Sequence, residues 1–174
     1  MRQITFSIDT GKFNLEDIVT AEQLAENYFQ MRHNPGQLQA TEEDYTWIHK
    51  HIPDCFNVIK IKDEIIGFTL IIPCNKQLME QFLSKRVSES QLFKKIKESV
   101  TYDNFETIYL CSAFVKPAFR QKGLAHKAYV MSIEKIIKKR GIKPILFYWE
   151  FSEGGRKLAS RVAQITKFKL IKRV

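Results

Sequence analysis

The chain has 174 residues, 44% of them hydrophobic, and a formal net charge of +9. That length can bury the core of one domain over 1–174 without metal or disulfide support, and three scattered cysteines (Cys55, Cys74, Cys111) form neither a disulfide framework nor a zinc pattern. No run approaches the roughly 18 apolar residues of a membrane span, and the N-terminus lacks an apolar signal core, so a reducing cytoplasm is the expected location.

Gln3–Ile8 alternates apolar and polar residues, which predicts a half-buried strand. Thr20, with Gln23 three positions on, is the expected cap of a helix whose apolar stripe is Ala21, Leu24, Ala25, Tyr28 and Phe29. His33-Asn34-Pro35-Gly36 ends it. Thr41 followed by Glu42, Glu43 and Asp44 opens a second helix with acids at its positive end, and Tyr45, Trp47 and Ile48 supply bulk. His49 and His51 diverge at their spacing on a helix and lack a third ligand, so no metal is expected. Cys55–Ile61 and Ile65–Ile72 flank a short polar turn and predict an antiparallel hairpin ended by Pro73. Residues 75–100 read as helix in one or two pieces, with apolar sets Leu78, Phe82, Leu83 and Leu92, Phe93, Ile96 separated near Ser88-Glu89-Ser90.

Thr107–Val115 is apolar almost throughout, as a central strand covered on both faces should be. Val115-Lys116-Pro117-Ala118-Phe119-Arg120-Gln121-Lys122-Gly123-Leu124-Ala125 then joins it to a helix through a short basic loop. A helix start carries unpartnered N–H groups and the positive end of the dipole, so it attracts phosphate; Gly123 permits close backbone approach, and Arg120 and Lys122 add charge. The loop reads as a diphosphate cradle. Tyr129, Ile133, Ile136 and Ile137 continue the helix, which Lys138-Lys139-Arg140-Gly141 closes with cations and a glycine. A strand over Ile145–Phe151, a helix opened by Ser152 and Glu153 and carrying Leu158, Ala159, Val162 and Ile165, and a strand over Phe168–Ile171 complete the pattern. Charge is uneven: residues 1–119 hold 13 Lys/Arg against 16 Asp/Glu, a net −3, and residues 120–174 hold 15 against 3, a net +12. A polyanion is the expected partner of the basic part, either nucleic acid or a phosphate-rich cofactor.

At Arg120-x-x-Gly123-x-Ala125 the chain resembles the GNAT superfamily of acyl-CoA-dependent N-acetyltransferases, whose signature is Q/R-x-x-G-x-G/A between a central strand and a helix. The strand before it, the Val115-x-Pro117 lead-in and the amphipathic helix after it supply the required context. In order of elements the resemblance covers roughly residues 3–171, and it is strongest over 106–141. It implies an α/β (α+β) fold, a central mixed, mostly antiparallel sheet flanked by helices. The helical insertion at 75–100 departs from the tighter join of many relatives and is a candidate cap on the acceptor side. The resemblance further implies acetyl-CoA as co-substrate, an amine acceptor (small molecule, peptide or protein) and no metal. Phe114, Val115 and Lys116 would contact pantetheine along a splayed strand. Gln121, Lys122, Gly123, Leu124 and Ala125 would hold the diphosphate, with Arg120 at the loop entrance.

Amine acylation needs a neutral nucleophile, a polarised carbonyl and a proton for the leaving thiolate. The family's tyrosine acid is matched by Ala163, its helical asparagine by Arg156 and the glutamate base of histone-modifying relatives by Tyr109, three departures from a borrowed mechanism. The remaining candidates are Glu106, to collect a proton, and Tyr109, to donate one. Against them stand a solvated strand-end acid and a packed tyrosine. Tyr148, Trp149 and Glu150 either line the acceptor channel or pack the core, and His126 is read as a surface or phosphate-proximal residue. The expected activity is direct transfer of acetyl from acetyl-CoA to a primary amine. Its rivals are an acyl-CoA-binding domain without catalysis, suggested by Ala163, and a basic nucleic-acid-binding domain, for which no motif appears.

Overall fold

The computed structural model describes residues 3–11, 13–29, 36–99, 101–138 and 140–174. Six strands form one sheet in sequence order: β1 (Ile4–Phe6), β2 (Phe56–Ile61), β3 (Glu64–Cys74), β4 (Thr107–Val115), β5 (Ile145–Trp149) and β6 (Leu170–Arg173). The first four pair antiparallel, and β4–β5 and β5–β6 pair parallel. The helices are α1 (Ser7–Thr10), α2 (Leu15–Phe29), α3 (Glu42–His51), α4 (Lys76–Leu83), α5 (Glu89–Ser99), α6 (Leu124–Ile137) and α7 (Glu153–Thr166). The expected mixed, mostly antiparallel α/β architecture is therefore the one observed. Among the described residues no helix is long and apolar enough to cross a membrane.

Local chemistry moves several boundaries. The first strand stops at Phe6 instead of continuing to Ile8, because Ser7 Oγ and Ile8 N both donate to Asn57 Oδ1 (3.3 and 3.4 Å) and Gly11 N closes a helical turn on Ser7 O. Helix α2 begins well before Thr20, for Asn14 and Asp17 each accept the other's backbone N–H and satisfy two orphan donors. The stop at His33-Asn34-Pro35 lies outside the described residues, as does Lys139. Thr41 and Asp44 form the reciprocal cap expected for α3. Pro73 does not end β3. Beyond Leu70 that strand has no ladder with β2, so a residue lacking an N–H is tolerated there, and the strand runs to Cys74. Strand β5 ends at Trp149, two residues early, and the last strand is shifted to Leu170–Arg173.

The described part of the 75–100 segment holds two helices, α4 and α5. Asn75 caps α4 by accepting Leu78 N, and Ser88 and Gln91 form a reciprocal cap on α5. Phe82 of α4 is fully buried, edge-on to Tyr109 (5.0 Å) and Trp149 (6.0 Å). Burying such a ring contributes about 2–3 kcal/mol. Leu92, Phe93 and Ile96 seat α5 in the same core, and Lys97 is bonded to the largely buried Asp44 at the start of α3. A smaller cluster joins Phe6, Ile59, Ile61, Ile66 and Val115 to Leu124 and Ala128, so the first turns of α6 are fixed against the sheet.

Candidate active site

Among the described residues, strand β4 pairs with β5 only at Thr107–Tyr109, opposite Ile145–Phe147, and then runs on to Val115 without a partner on that side. An irregularity lies where the strands part: Leu70 pairs with Ser112 and Ile71 with Leu110, leaving Cys111 as the extra residue of β4. Lys116 N donates to Ile66 O (2.8 Å). By antiparallel alternation the backbone groups of Phe114 face β3, and those of Ala113 and Val115 face the gap. Gly67, opposite Val115, permits this close pairing, since a Cβ there would lie 2.5 Å from Phe114 O.

At the far end of the gap Pro117–Phe119 makes one 3-10 turn, and Gln121 (φ 61°) and Gly123 (φ 73°) adopt left-handed backbone. Gly123 is the N-cap of α6, which therefore has no side-chain cap, and no acid stands in its first turn. A Cβ on Gly123 would lie 2.8 Å from His126 Cε1. Uncapped N–H groups at the positive helix end, with the His126 ring against Gly123 and Lys122 nearby, suit a diphosphate. Burial, and then the charge of Arg161, hold the His126 imidazole below its usual range, so it is neutral near pH 7.

Where β4 and β5 part, Tyr109 is fully buried, stacked on Phe147 (5.0 Å), and its hydroxyl donates to Glu89 Oε1 at 2.6 Å. Glu89 opens α5. It also accepts from Leu38 N at Oε2 and from Cys111 Sγ (3.7 Å) at Oε1, and its own N–H donates to Gly36 O. Burial pushes the Glu89 carboxyl up, opposed by these hydrogen bonds and by the charge of Arg173. Burial and then the Glu89 charge push the Tyr109 phenol well above its usual value. Glu22 of α2 is pushed up to about 7 by burial, then by Glu26 and Glu89. The Arg173 guanidinium lies between Phe82 (4.2 Å) and Trp149 (4.3 Å) and donates to Val87 O.

A half-zipped β4–β5 pair opening onto a glycine-capped helix start is the arrangement expected of an acyl-CoA site, and the model of the acetyltransferase (GNAT) family matches residues 18–160. The chain belongs to the GNAT family. No curated protein matches it significantly in sequence. Among solved structures it is similar to an agmatine N-acetyltransferase (15% identity over 91% of this chain and 81% of that one, TM-score 0.54). It is also similar to an aminoglycoside acetyltransferase from an uncultured soil metagenomic sample (14% identity over 95% and 86%, TM-score 0.52). At these identities the likeness is one of fold.

Within this GNAT frame the anticipated site residues fall into separate places. Gln121, Lys122, Gly123, Leu124 and Ala125 form the turn and first helical residues, with Leu124 packed inward. Lys116 pairs with Glu64 (2.7 Å), and the Phe114 ring packs against Tyr28 (5.5 Å) and Phe29 (6.0 Å). Arg120 turns away from the helix start: Nε donates to Val115 O (2.7 Å) and a terminal nitrogen to Tyr28 Oη (3.0 Å). Glu106 stands at the zipped end of β4, where its carboxylate accepts Lys76 N (3.2 Å) and its carbonyl accepts Ile145 N. Glu150 pairs with Lys172 (2.9 Å), and Ala163 packs against the main core. Sequence reasoning missed Glu22 and Glu89. The signal for Glu22 was an acid within the inward stripe Ile18, Ala21, Ala25, and the break near Ser88 concealed that Glu89 starts a helix aimed inward.

Proposed function

We propose that this protein transfers an acetyl group from acetyl-CoA to a primary amine in a direct ternary complex. The observation that carries the reading is the open edge of β4, running from Tyr109 to the Gly123 turn with the backbone groups of Ala113 and Val115 facing the gap. Acetyl-CoA would supply a thioester carbonyl activated toward amines. The N–H groups at Gln121–Ala125, with Lys122 beside them, would hold the diphosphate, and Phe114, Val115 and Lys116 would border the pantetheine arm, with Arg120 at the loop entrance. Directness is supported by the cysteines. Burial, and then the Glu89 charge, raise the Cys111 thiol well above its usual value, and burial pushes Cys74 up to about 12, so neither is a ready thiolate nucleophile. The half-buried Glu22 and the buried Glu89 favour an acceptor that arrives as a cation.

Calorimetry with acetyl-CoA, followed by mass spectrometry of primary amines incubated with enzyme and acetyl-CoA, tests this. Saturable binding and an acetylated amine are expected. Binding with no product from any amine would favour the acyl-CoA-binding domain without catalysis, and absence of binding would overturn the reading.

A further inference from the structure

From the contact between α5 and the fork of the sheet we infer that Glu89 is the positioning residue of a two-member proton relay, with Tyr109 as the catalytic residue that meets the acceptor amine. The inference rests on the acyltransfer reading above and assigns the proton path within it.

Tyr109 is the last β4 residue paired with β5, so its position coincides with the apex of the gap. Its ring is held by Phe147 and Phe82 at 5.0 Å each, which leaves the phenol one orientation. The hydroxyl spends its single proton on Glu89 Oε1, and its oxygen keeps lone pairs with which to accept another hydrogen. Glu89 is 5% exposed and secured from three directions: Tyr109, Cys111 and the Leu38 N–H. A carboxylate so buried is a stronger proton acceptor than one in water. Like-charge repulsion from Glu22 on α2 opposes its ionisation. The Tyr109 and Cys111 donors on β4 and Arg173 on β6 favour it, and Tyr129 on α6 is a neutral neighbour whose phenol burial raises. Nothing else in the 75–100 insertion reaches Tyr109 with a titratable group among the contacts of the described residues.

Once the arriving ammonium has lost its first proton to solvent, the proton ledger closes on these two residues. As the neutral amine nitrogen bonds to the carbonyl carbon, its N–H proton passes to Tyr109 Oη while the phenol's own proton passes to Glu89 Oε1. As the C–S bond breaks and its electron pair goes to sulfur, the proton returns from Glu89 through Tyr109 to the thiolate. Both residues end as they began, with amide and free thiol as products. The arrangement also accounts for the insertion's chemistry: a helix that the strand-to-strand connection does not require delivers the one carboxylate bonded to the apex tyrosine.

The test compares wild type, Glu89→Gln, Tyr109→Phe and the double variant, with n-butylamine as acceptor and acetyl-CoA affinity measured separately by calorimetry. Each single variant should lose roughly 100-fold or more in kcat, with acetyl-CoA affinity held within about twofold. The double variant should be no slower than the worse single one, because one relay can be broken only once. A readout independent of turnover is the 13Cζ signal of Tyr109, whose ionisation should move to lower pH in Glu89→Gln as the neighbouring charge is removed. If Glu89→Gln does not fold, Tyr109→Phe keeps the packed ring and carries the kinetic test alone. Near-wild-type kcat in Tyr109→Phe or Glu89→Gln, or losses that multiply in the double variant, would overturn the relay and leave the acyltransferase reading intact. Wild type that binds no acetyl-CoA would overturn both.

Discussion

At the Gly123 turn the groups facing the gap's mouth are backbone N–H groups from one contiguous stretch, whereas at the fork they are side chains brought by α2, α5 and β4. The geometry of the first half is set by two left-handed residues and a helix start. The second is buried, and its geometry is set by aromatic packing around Phe82, Tyr109 and Phe147. The difference teaches that one enzyme site can combine a part that tolerates side-chain change with a part that depends on it atom by atom. Substitutions should therefore separate the two halves.

The largest effect is expected from Phe82→Ala, which empties the wall shared by Tyr109, Phe147 and Trp149 and should cost about 3–5 kcal/mol of stability, read by denaturant unfolding. Under native conditions acetyl-CoA affinity should change much less than turnover. Next is Gly123→Glu. A side chain at φ 73° is strained, its Cβ meets His126, and its charge opposes phosphate, so acetyl-CoA affinity should fall by at least ~100-fold, about 2.7 kcal/mol, in calorimetry. Unchanged affinity would break the comparison at its backbone end.

A smaller effect is expected at Glu22. Its carboxyl binds a proton more tightly when folded (about 7) than at its ordinary value of 4.5, so the stability it confers is complete below pH 4.5 and is lost as pH rises through 7. Glu22→Gln keeps the uncharged form. It should raise the melting temperature above pH 7, by the equivalent of roughly 1–3 kcal/mol, and have little effect below pH 4.5. A gain that persists unchanged in acid would show that burial is not the cause. The smallest effect belongs to Lys94→Ala, which removes an exposed 3.9 Å pair with Glu98 and should leave stability within about 0.5 kcal/mol. Any change in preference among several amines would then report on the insertion's role at the acceptor side, uncomplicated by folding.

What the amino-acid sequence determined by itself was everything that depends on neighbours along the chain. The Thr41 cap, the hairpin after Phe56, the mostly apolar strand Thr107–Val115 and the Gly123 helix start could be read because hydrogen-bond completion and periodicity act over a few residues. Tertiary structure decided the rest. Arg120 looks like a phosphate ligand in a basic loop, yet its guanidinium is taken by Val115 O and the Tyr28 ring, a partner far away in sequence. Glu106 looks like a strand-end acid near the chemistry, yet the Lys76 N–H at the start of α4 takes its carboxylate. Tyr109 acquires its partner only because α4 and α5 fold back so that Glu89 meets the fork. The physical reason is common to all three. Backbone demands are met locally, but a buried polar side chain must find its counterpart in whatever segment the fold brings near, and that segment is chosen by packing.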